Sequence, residues 1–436
     1  MSLSLMTLLY LLPLIVVLML YQRRHRKKET QYETKLQATV KAGITEPLTL
    51  HPVVDPNICM GSGACVKACP ERALGIVKGK AVLVAPDHCI GHGACESACP
   101  VEAITLVFGT EKRGIDIPHV KPTFETNVPG IYIAGELGGM GLIRKGVEQG
   151  ARAVEAIQRN RGGADELDVV IVGAGPAGLS ASLAAKQAGL RFVTIEQEDS
   201  FGGSVYHYPR NKIAMTAPMQ LPMVGTVKMF EISKEELLAF WNKILRQTGL
   251  KINFMERMEA VTKHGGSFVV KTSKKSYGTK NVLLCIGRRG TPRKLGVAGE
   301  EQPKVVYRLI DAEQYRGRHV LVVGGGDSAA EAALAIAAEP GTTVTLSCRG
   351  EEIYTRPKEK NRQQMKQFVA QGKLAVFVNC AVKGIGAGDV TLDQQGTIHN
   401  IKNEAVIVCA GGTLPTPMLK EIGVMVDTFY GTAVPG

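Results

Sequence analysis

The first pattern along the chain is one long apolar run, from Ser2 to Gln22, in which no side chain is charged. About 20 apolar residues at ~1.5 Å each would cover a hydrocarbon core of roughly 30 Å, so the run predicts a transmembrane helix at residues 1–22. A cleaved secretory signal is the alternative, but no basic segment precedes the run and no A-x-A-like site follows it. Basic side chains crowd residues 23–28. By the positive-inside rule, we expect a single-pass inner-membrane protein whose catalytic part faces the cytoplasm.

Further along, two segments follow the order strand, glycine turn, helix, strand. The first opens with the β-branched run Leu167–Val172 and returns as Arg191–Ile195. The second opens with His319–Val323 and returns as Thr343–Ser347. Such alternation predicts an α/β fold with two Rossmann-like domains.

Length and composition limit the class of protein. A chain of 436 residues suggests two or three globular units, and 45% hydrophobic with 21% charged residues excludes bulk disorder. The 49 glycines show no G-X-Y period, which excludes collagen. The net charge is +12, but the basic residues form no long stretch, so we expect no nucleic-acid partner. Ten cysteines are too sparse for a disulfide scaffold, but six of them are clustered, which favours metal binding.

The clustered cysteines form an internal repeat. Residues 59–70 and residues 89–100 align without gaps at a 30-residue period, and each copy reads C-x5-C-x3-C-P. The pattern resembles the bacterial two-cluster ferredoxin run C-x2-C-x2-C-x3-C-P, with its second cysteine replaced by Ser62 and His92. The sequence therefore predicts a small α+β ferredoxin-like domain with two iron–sulfur clusters. Zinc is the competing metal, but its paired C-x2-C spacing is absent.

In that ferredoxin family, the last cysteine of each run ligates the other cluster. The resemblance thus implies one cluster on Cys59, Cys65 and Cys99 and a second on Cys69, Cys89 and Cys95. Three thiolates suit [3Fe–4S], or [4Fe–4S] with His92, Ser62 or solvent as the fourth ligand. His92 is the better candidate because imidazole suits iron. Alternatively, both residues merely cap local turns.

The first glycine turn has the features of a dinucleotide-binding site. Gly173, Gly175 and Gly178 form G-x-G-x-x-G, and Glu196 ends the next strand, where a carboxylate binds a ribose hydroxyl.

The second glycine turn has the features of an NAD(P) site. Gly324, Gly326 and Ala329 occupy its glycine positions, with Arg349 and Arg356 beyond the next strand. A guanidinium there pairs with a 2′-phosphate, so NADPH is favoured over NADH. Alternatively, the arginines are a solvated rim.

Together these motifs resemble the thioredoxin-reductase-like branch of the pyridine-nucleotide-disulfide oxidoreductases. Shared marks include the strand ends Cys285–Pro292 and Cys409–Pro415. That family closes with a third flavin motif, which here lies upstream as Thr126–Glu136. The resemblance implies that the first glycine turn and Glu196 bind FAD, with further FAD contacts from Gly135 and Glu136. The flavin domain is therefore predicted to be circularly permuted, with the last twenty residues beside residues 116–126.

We accordingly expect seven segments: a transmembrane helix (1–22), a linker (23–50), a ferredoxin-like domain (51–110), a permuted FAD-domain segment (111–165), an FAD domain (166–292), an NAD(P) domain (293–412) and a return to the FAD domain (413–436).

The family's redox cysteine pair is missing, since the four remaining cysteines are isolated in sequence. Tyr206, His207 and Tyr208 stand in the corresponding flavin-side stretch, as proton-transfer candidates or as packing groups. The expected function is a membrane-anchored oxidoreductase that passes electrons between NAD(P)H, FAD and two clusters, as in ferredoxin–NADP reductase chemistry. Its acceptor or donor would be a protein or a quinone, and a homodimer is compatible with the resemblance. The alternatives are direct flavin reduction of a quinone or small disulfide, and a redox sensor with little turnover.

Overall fold

A computed structural model describes residues 3–41, 47, 50–89, 91–111, 114–139, 141–208, 213–288, 290–351 and 359–432. The chain divides into two compact units. Residues 1–115 and 428–436 form the cysteine-rich unit, and residues 116–427 form the double-sheet unit.

Helix α1 of the cysteine-rich unit runs from Leu3 to Lys41. Its second half packs on the unit's strands: Thr39 Oγ1 donates to Val84 O (3.0 Å), and Glu29 Oε1 accepts from Gly79 N–H (3.1 Å). The ring of Tyr32 fills the space beside Gly75. Much of the segment predicted as a linker is therefore a packed helix.

The membrane prediction is wrong. Within the ranges described above, no helix combines the length and the apolar character that crossing a bilayer requires. The apolar run is not an element of its own. It is the first part of helix α1, which is 39 residues long and continues through basic and polar residues. This finding overturns two predictions: the transmembrane helix at residues 1–22, and the inner-membrane location with a catalytic part that faces the cytoplasm.

The rest of the cysteine-rich unit is two copies of one small motif. Its elements are β1 (His51–Val54), α2 (Ala64–Ala68), β2 (Leu74–Val77), β3 (Lys80–Leu83), α3 (Ala94–Ser97) and β4 (Ile104–Val107). Strand β1 pairs with β4, and β2 pairs with β3. Arg72 and Glu102, at equivalent positions of the repeat, both adopt positive φ, 51° and 52°. The sequence duplication is thus also a structural one.

The remaining elements are, in chain order, β5 (Ile115–Pro118), β6 (Ile131–Ile133), α4 (Ile143–Ile157), β7 (Leu167–Val172), α5 (Pro176–Gln187), β8 (Phe192–Ile195), β9 (Ile213–Met215), β10 (Met219–Leu221), β11 (Gly225–Val227), β12 (Glu231–Ser233), α6 (Lys234–Thr248), β13 (Met258–His264), β14 (Ser267–Thr272), β15 (Ser276–Leu284), β16 (Thr291–Pro292), β17 (Val305–Val306), β18 (His319–Val323), α7 (Asp327–Ala337), β19 (Thr343–Ser347), α8 (Glu359–Ala370), β20 (Leu374–Phe377), β21 (Cys380–Ile385), β22 (Asp389–Gln394), β23 (Thr397–Lys402), β24 (Ala405–Val408), β25 (Gly412–Thr413), α9 (Thr416–Ile422) and β26 (Val426–Phe429).

Two sheets, the first mixed and the second parallel, organise the double-sheet unit. The first has the order β13-β14-β15-β7-β8, with β6 also paired to β15. The second has the order β17-β24-β18-β19-β20 and is accompanied by the antiparallel meander β21-β22-β23. In both sheets the central strands are apolar and almost fully buried, as in β7, β18, β24 and the carboxyl-terminal part of β15. The predicted α/β class is confirmed.

Residues upstream of the first glycine turn belong to the first sheet. Strand β6 runs parallel to β15, with Ile131 opposite Val282. Helix α4 crosses α5 so closely that a Cβ added at Gly150 would lie 2.1 Å from Ala177 O.

The end of the chain meets the same segment. His119 N–H donates to Met425 O (2.9 Å), and Asn127 Nδ2 donates to Gly423 O (2.9 Å). These contacts agree with what a permuted order requires, and the permutation itself stays a prediction.

Candidate functional site

A cavity of about 760 Å³ opens at the carboxyl ends of the first sheet's parallel strands. Five of the residues predicted to bind FAD line it: Gly135, Glu136, Gly173, Gly175 and Glu196. These residues come from three separate stretches of sequence, so the fold brings the predicted site together.

The first glycine turn is shaped by close backbone contacts. Gly173 has φ +103°, and a Cβ there would lie 2.5 Å from Cys285 O. A Cβ at Gly178 would lie 1.8 Å from Gly173 O, so this glycine, which does not line the cavity, lets helix and strand pack. Around Gly175 the nearest atom to such a Cβ is 3.8 Å away. At Gly175 a ligand can therefore come close to the protein backbone. Helix α5 begins at the next residue without a side-chain cap, so its first N–H groups can face a phosphate.

Glu196 is buried at the floor of this cavity. Its Oε2 accepts from Ala174 N–H (2.7 Å), and its Oε1 accepts from Glu198 N–H (3.0 Å). Burial raises the pKa of Glu196 despite these hydrogen bonds. A carboxylate has about four acceptor positions, so acceptor capacity remains for a hydroxyl group of a ligand.

Gly135 and Glu136 face the same cavity from the end of β6. Gly135 has φ +87°, and its N–H donates to Gln149 Oε1 (2.8 Å), a side chain of α4. Glu136 begins a short 3₁₀ turn, and its Oε2 lies 3.9 Å from where a Cβ at Gly287 would be. Residues before the first glycine turn therefore complete its cavity.

The three proton-transfer candidates sit on one turn. His207 and Tyr208 line the cavity, whereas the ring of Tyr206 stacks edge-on against His207 at 5.4 Å between centroids. The buried Lys234 holds this turn: its Nζ donates to Tyr208 O (2.7 Å) and lies 5.8 Å from the Tyr206 ring centroid. His207 and Tyr208 can thus reach a ligand, and Tyr206 supports them.

Three arginines of the cavity were not predicted: Arg257, Arg288 and Arg308. Arg288 belongs to the strand-end segment Cys285–Pro292 and donates to Asp116 O (3.0 Å). Residues 414–421, which include Pro415 and Met418, close the cavity from the far end of the chain. The two strand-end segments, which contain Arg288 and Pro415, carried a sequence signal, whereas Arg257, Arg308 and Met418 are gathered by tertiary structure.

The second glycine turn repeats the first. A Cβ at Gly324 would lie 2.4 Å from Cys409 O, and Cys409 ends β24 as Cys285 ends β15. Gly326 has open space around it, and Ala329 is fully buried against the turn.

Of the two predicted arginines, Arg349 is exposed just beyond β19. Arg356 lies outside the described residues.

Burial raises the pKa of the Cys285 thiol and raises that of Cys409 to about 11, so neither is an activated nucleophile.

The six repeat cysteines fall into two sets, according to which thiols affect one another's pKa. Burial raises the pKa of Cys65, and the nearby thiols of Cys59 and Cys99 raise it further. Likewise, burial raises the pKa of Cys95 to about 11, with Cys89 and Cys69 adding to the effect. Cys65 and Cys95 are thus each influenced by thiols of their own implied trio, and the assignment of the trios to clusters stays a prediction.

The donor chemistry of the trios suits iron–sulfur clusters. Backbone N–H groups point at the sulfurs: Ala81 to Cys59 (3.4 Å), Ala73 to Cys69 (3.4 Å) and Ala103 to Cys99 (3.3 Å). Such bonds stabilise thiolates and cluster charge. In the described part of the chain, no three histidine, cysteine or carboxylate side chains converge tightly on a single point, as one metal ion would need. A multi-iron cluster instead takes its thiolates on different irons.

The candidate fourth ligands differ in their surroundings. Ser62 is exposed, and its Oγ accepts a long hydrogen bond from Ala64 N–H (3.4 Å), as a local cap does. Burial lowers the pKa of His92, against the influence of Glu71, a carboxylate that also acts on Cys89. His92 therefore shares its environment with the second trio.

Comparison with known proteins places these features in a family. A family profile described as pyridine nucleotide-disulphide oxidoreductase matches residues 170–430. The chain belongs to this family. A second profile, described as a 4Fe-4S dicluster domain, matches residues 51–100.

Relatives within the pyridine nucleotide-disulphide oxidoreductases include a ferredoxin–NADP reductase of Ignicoccus hospitalis, 34% identical over 55% of this chain and 73% of that protein. A bacilliredoxin reductase of Bacillus subtilis is 28% identical over 60% of this chain and 82% of that protein. Among solved structures, a bacillithiol disulfide reductase from Bacillus cereus aligns with 26% identity and a TM-score of 0.46, over 60% of this chain and 82% of that one. The family match makes the chain an oxidoreductase with an iron–sulfur domain, similar in sequence to ferredoxin–NADP and bacilliredoxin reductases, and the predicted enzyme class is confirmed.

Proposed function

We propose that this oxidoreductase moves electrons between NAD(P)H and two iron–sulfur clusters through FAD. The observation that carries the proposal is the cavity that joins the first glycine turn, Glu196 and the Gly135–Glu136 turn. It occurs in a chain that also holds six thiols in two trios.

FAD fits the cavity residue by residue. Gly175 and the start of α5 would receive the pyrophosphate, and Glu196 has acceptor positions left for the adenosine ribose. Glu136 would take hydroxyl groups of the ribityl chain. When bound, FAD would accept a hydride from the nicotinamide and release electrons one at a time.

The second glycine turn would bind NADPH in preference to NADH. Gly324 and Ala329 would shape this turn by close packing, and Gly326, with open space around it, would leave the backbone accessible to the pyrophosphate. The exposed Arg349 follows the next strand, at the position from which a side chain would recognise a 2′-phosphate. The Arg349 guanidinium would pair with that phosphate, and Arg356 would assist it.

Two clusters, [4Fe–4S] or [3Fe–4S], would occupy the thiol trios. One would use Cys59, Cys65 and Cys99; the other would use Cys69, Cys89 and Cys95, with His92 as a candidate additional ligand. The partner would be an electron-transfer protein or a quinone.

We further propose that the FAD domain is circularly permuted. The pairing of β6 with β15 and the crossing of α4 on α5 support this order, since segments upstream of the first glycine turn fill places in its sheet. The contacts of residues 423–425 with residues 119–127 support it from the other end.

A disulfide-reductase function, suggested by the name of the bacilliredoxin reductase, is less favoured. Among the described residues that line the cavity, Cys285 is the one thiol, and burial raises its pKa. A dithiol relay would need a second thiol beside it.

The test is a cofactor analysis followed by steady-state kinetics. The purified protein should contain FAD together with iron and acid-labile sulfide, and it should reduce an added ferredoxin with NADPH. Arg349→Gln should raise the KM for NADPH at least tenfold while leaving the KM for NADH unchanged. Bound FAD without iron or sulfide, together with turnover of a small disulfide, would contradict the proposal.

A further inference from the structure

The two thiol trios differ in the charges next to them. Beside the first trio, the half-buried Lys80 Nζ donates to Cys59 O (2.6 Å), and the following residue, Ala81, donates its N–H to Cys59 Sγ (3.4 Å). An ammonium group is therefore fixed against the backbone of one cluster ligand.

The second copy of the repeat has no matching cation. The position 30 residues after Lys80 is Thr110, which cannot carry a positive charge. A carboxylate is near the second trio instead, because Glu71 comes two residues after Cys69, a member of that trio. Glu71 likewise has no counterpart in the second copy, since the residue 30 positions later is Val101. The duplication is symmetric in backbone and asymmetric in charge.

Charge next to a cluster shifts its reduction potential. Reduction adds one electron to the cluster and makes or breaks no bond of the protein, so the reduced form carries one more negative charge. A nearby ammonium stabilises that form, and a nearby carboxylate destabilises it. Both groups are partly buried, where water screens such interactions less than at the surface.

We propose that Lys80 makes the cluster held by Cys59, Cys65 and Cys99 the higher-potential one of the two, so that an electron entering this unit comes to rest there. This inference rests on the proposed function, because it requires that both clusters assemble. Lys80 acts as a tuning residue, since it contacts the Cys59 backbone and ligates no iron.

The experiment is a potentiometric titration of the full-length protein, anaerobic, with each reduction step followed by electron paramagnetic resonance. Lys80→Gln should lower the potential of the higher-potential step by about 59 mV, which for one electron changes the ratio of reduced to oxidised cluster about tenfold, and a shift of the lower-potential step instead would overturn the proposal. Lys80→Arg keeps the charge and should restore the wild-type value. Lys78→Gln removes the same charge from an exposed side chain of the same hairpin and should move neither step.

Glu71→Gln provides the mirror test, because it should raise the potential of the other step. The inference is overturned if Lys80→Gln moves no step, moves both equally, or moves the step that Glu71→Gln moves. Iron and acid-labile sulfide are measured on every variant. Loaded clusters with unmoved potentials would overturn this inference alone, whereas a wild-type protein without iron and sulfide would overturn the proposed function and this inference with it.

Discussion

Gly178 and Gly175 separate the two tasks of the first glycine turn. Gly178→Ala would place a methyl carbon 1.8 Å from Gly173 O, and carbons at that position are not found closer than about 3.0 Å. Gly175→Ala would place one with its nearest neighbour 3.8 Å away, at a φ of −74° that alanine readily adopts. The first change should damage folding, and the second should damage ligand binding.

The size of the first effect follows from what has to move. The Gly173 backbone is held by its N–H bond to Ile195 O (2.8 Å), so α5 or β7 must shift by more than 1 Å to relieve the overlap. Overpacking of a core costs up to about 3 kcal/mol, and replacing a helical glycine with alanine returns about 1 kcal/mol. With the full overpacking cost, the net loss of unfolding free energy is about 2 kcal/mol, a fall in Tm of roughly 4–8 °C.

The assay is thermal unfolding of the FAD-free proteins, followed by titration with FAD, whose fluorescence reports binding. Gly178→Ala should melt earlier than the wild type without FAD. Gly175→Ala should melt as the wild type does but bind FAD at least about tenfold more weakly, because its methyl group occupies the approach of the pyrophosphate. A wild-type Tm for Gly178→Ala, or wild-type FAD affinity for Gly175→Ala, would refute the reasoning.

Three further substitutions test individual buried residues of the double-sheet unit. Burial opposes ionisation of Asp168, but hydrogen bonds from Arg191 and Gly162 outweigh it and keep its pKa below the usual value; Asp168→Asn should therefore destabilise the protein by about 1–3 kcal/mol at pH 7. Since the stabilisation exists above the unfolded pKa and disappears as the pH falls through the folded one, urea unfolding should show the two proteins converging toward pH 3. Cys285→Ala should keep NADPH-driven flavin reduction, measured anaerobically by absorbance, and its loss would favour a thiol mechanism. Gly150→Ala should lower Tm, whereas Gly146→Ala on the same helix, whose added Cβ would find its nearest atom at 3.7 Å, should not; equal melting of the two would show that the α4–α5 crossing is loose.

Local motifs were predictable from sequence because their chemistry is contained in a few consecutive residues. The turn at Gly173 and the carboxylate at Glu196 are separated by one strand–helix–strand unit, so their meeting follows from the geometry of that unit. The repeat at Cys59–Cys99 was equally readable, since the two copies share glycine positions and the C-P ending.

Other parts of the structure depend on long-range packing. Arg257 and Arg308 reach the cavity from distant parts of the chain that have no motif of their own. The nucleotide-site prediction for Arg356 falls on a segment outside the described residues.

Helix α1 shows a missed local signal. Glu29, Tyr32 and Thr39 recur at helical spacing along one face and contact the cysteine-rich unit. The apolar content of the preceding run dominated the interpretation, and this polar face was read as a linker. A periodicity search through residues 23–41 would have indicated a packed helix instead of a membrane boundary.

The most direct test of electron transfer is an anaerobic titration of the purified protein with NADPH, and separately with NADH. Flavin is followed by absorbance and the clusters by electron paramagnetic resonance. The account predicts that flavin bleaches, that cluster signals change at a comparable rate, and that NADPH is the better donor. Bleached flavin with silent clusters at every added equivalent would contradict it.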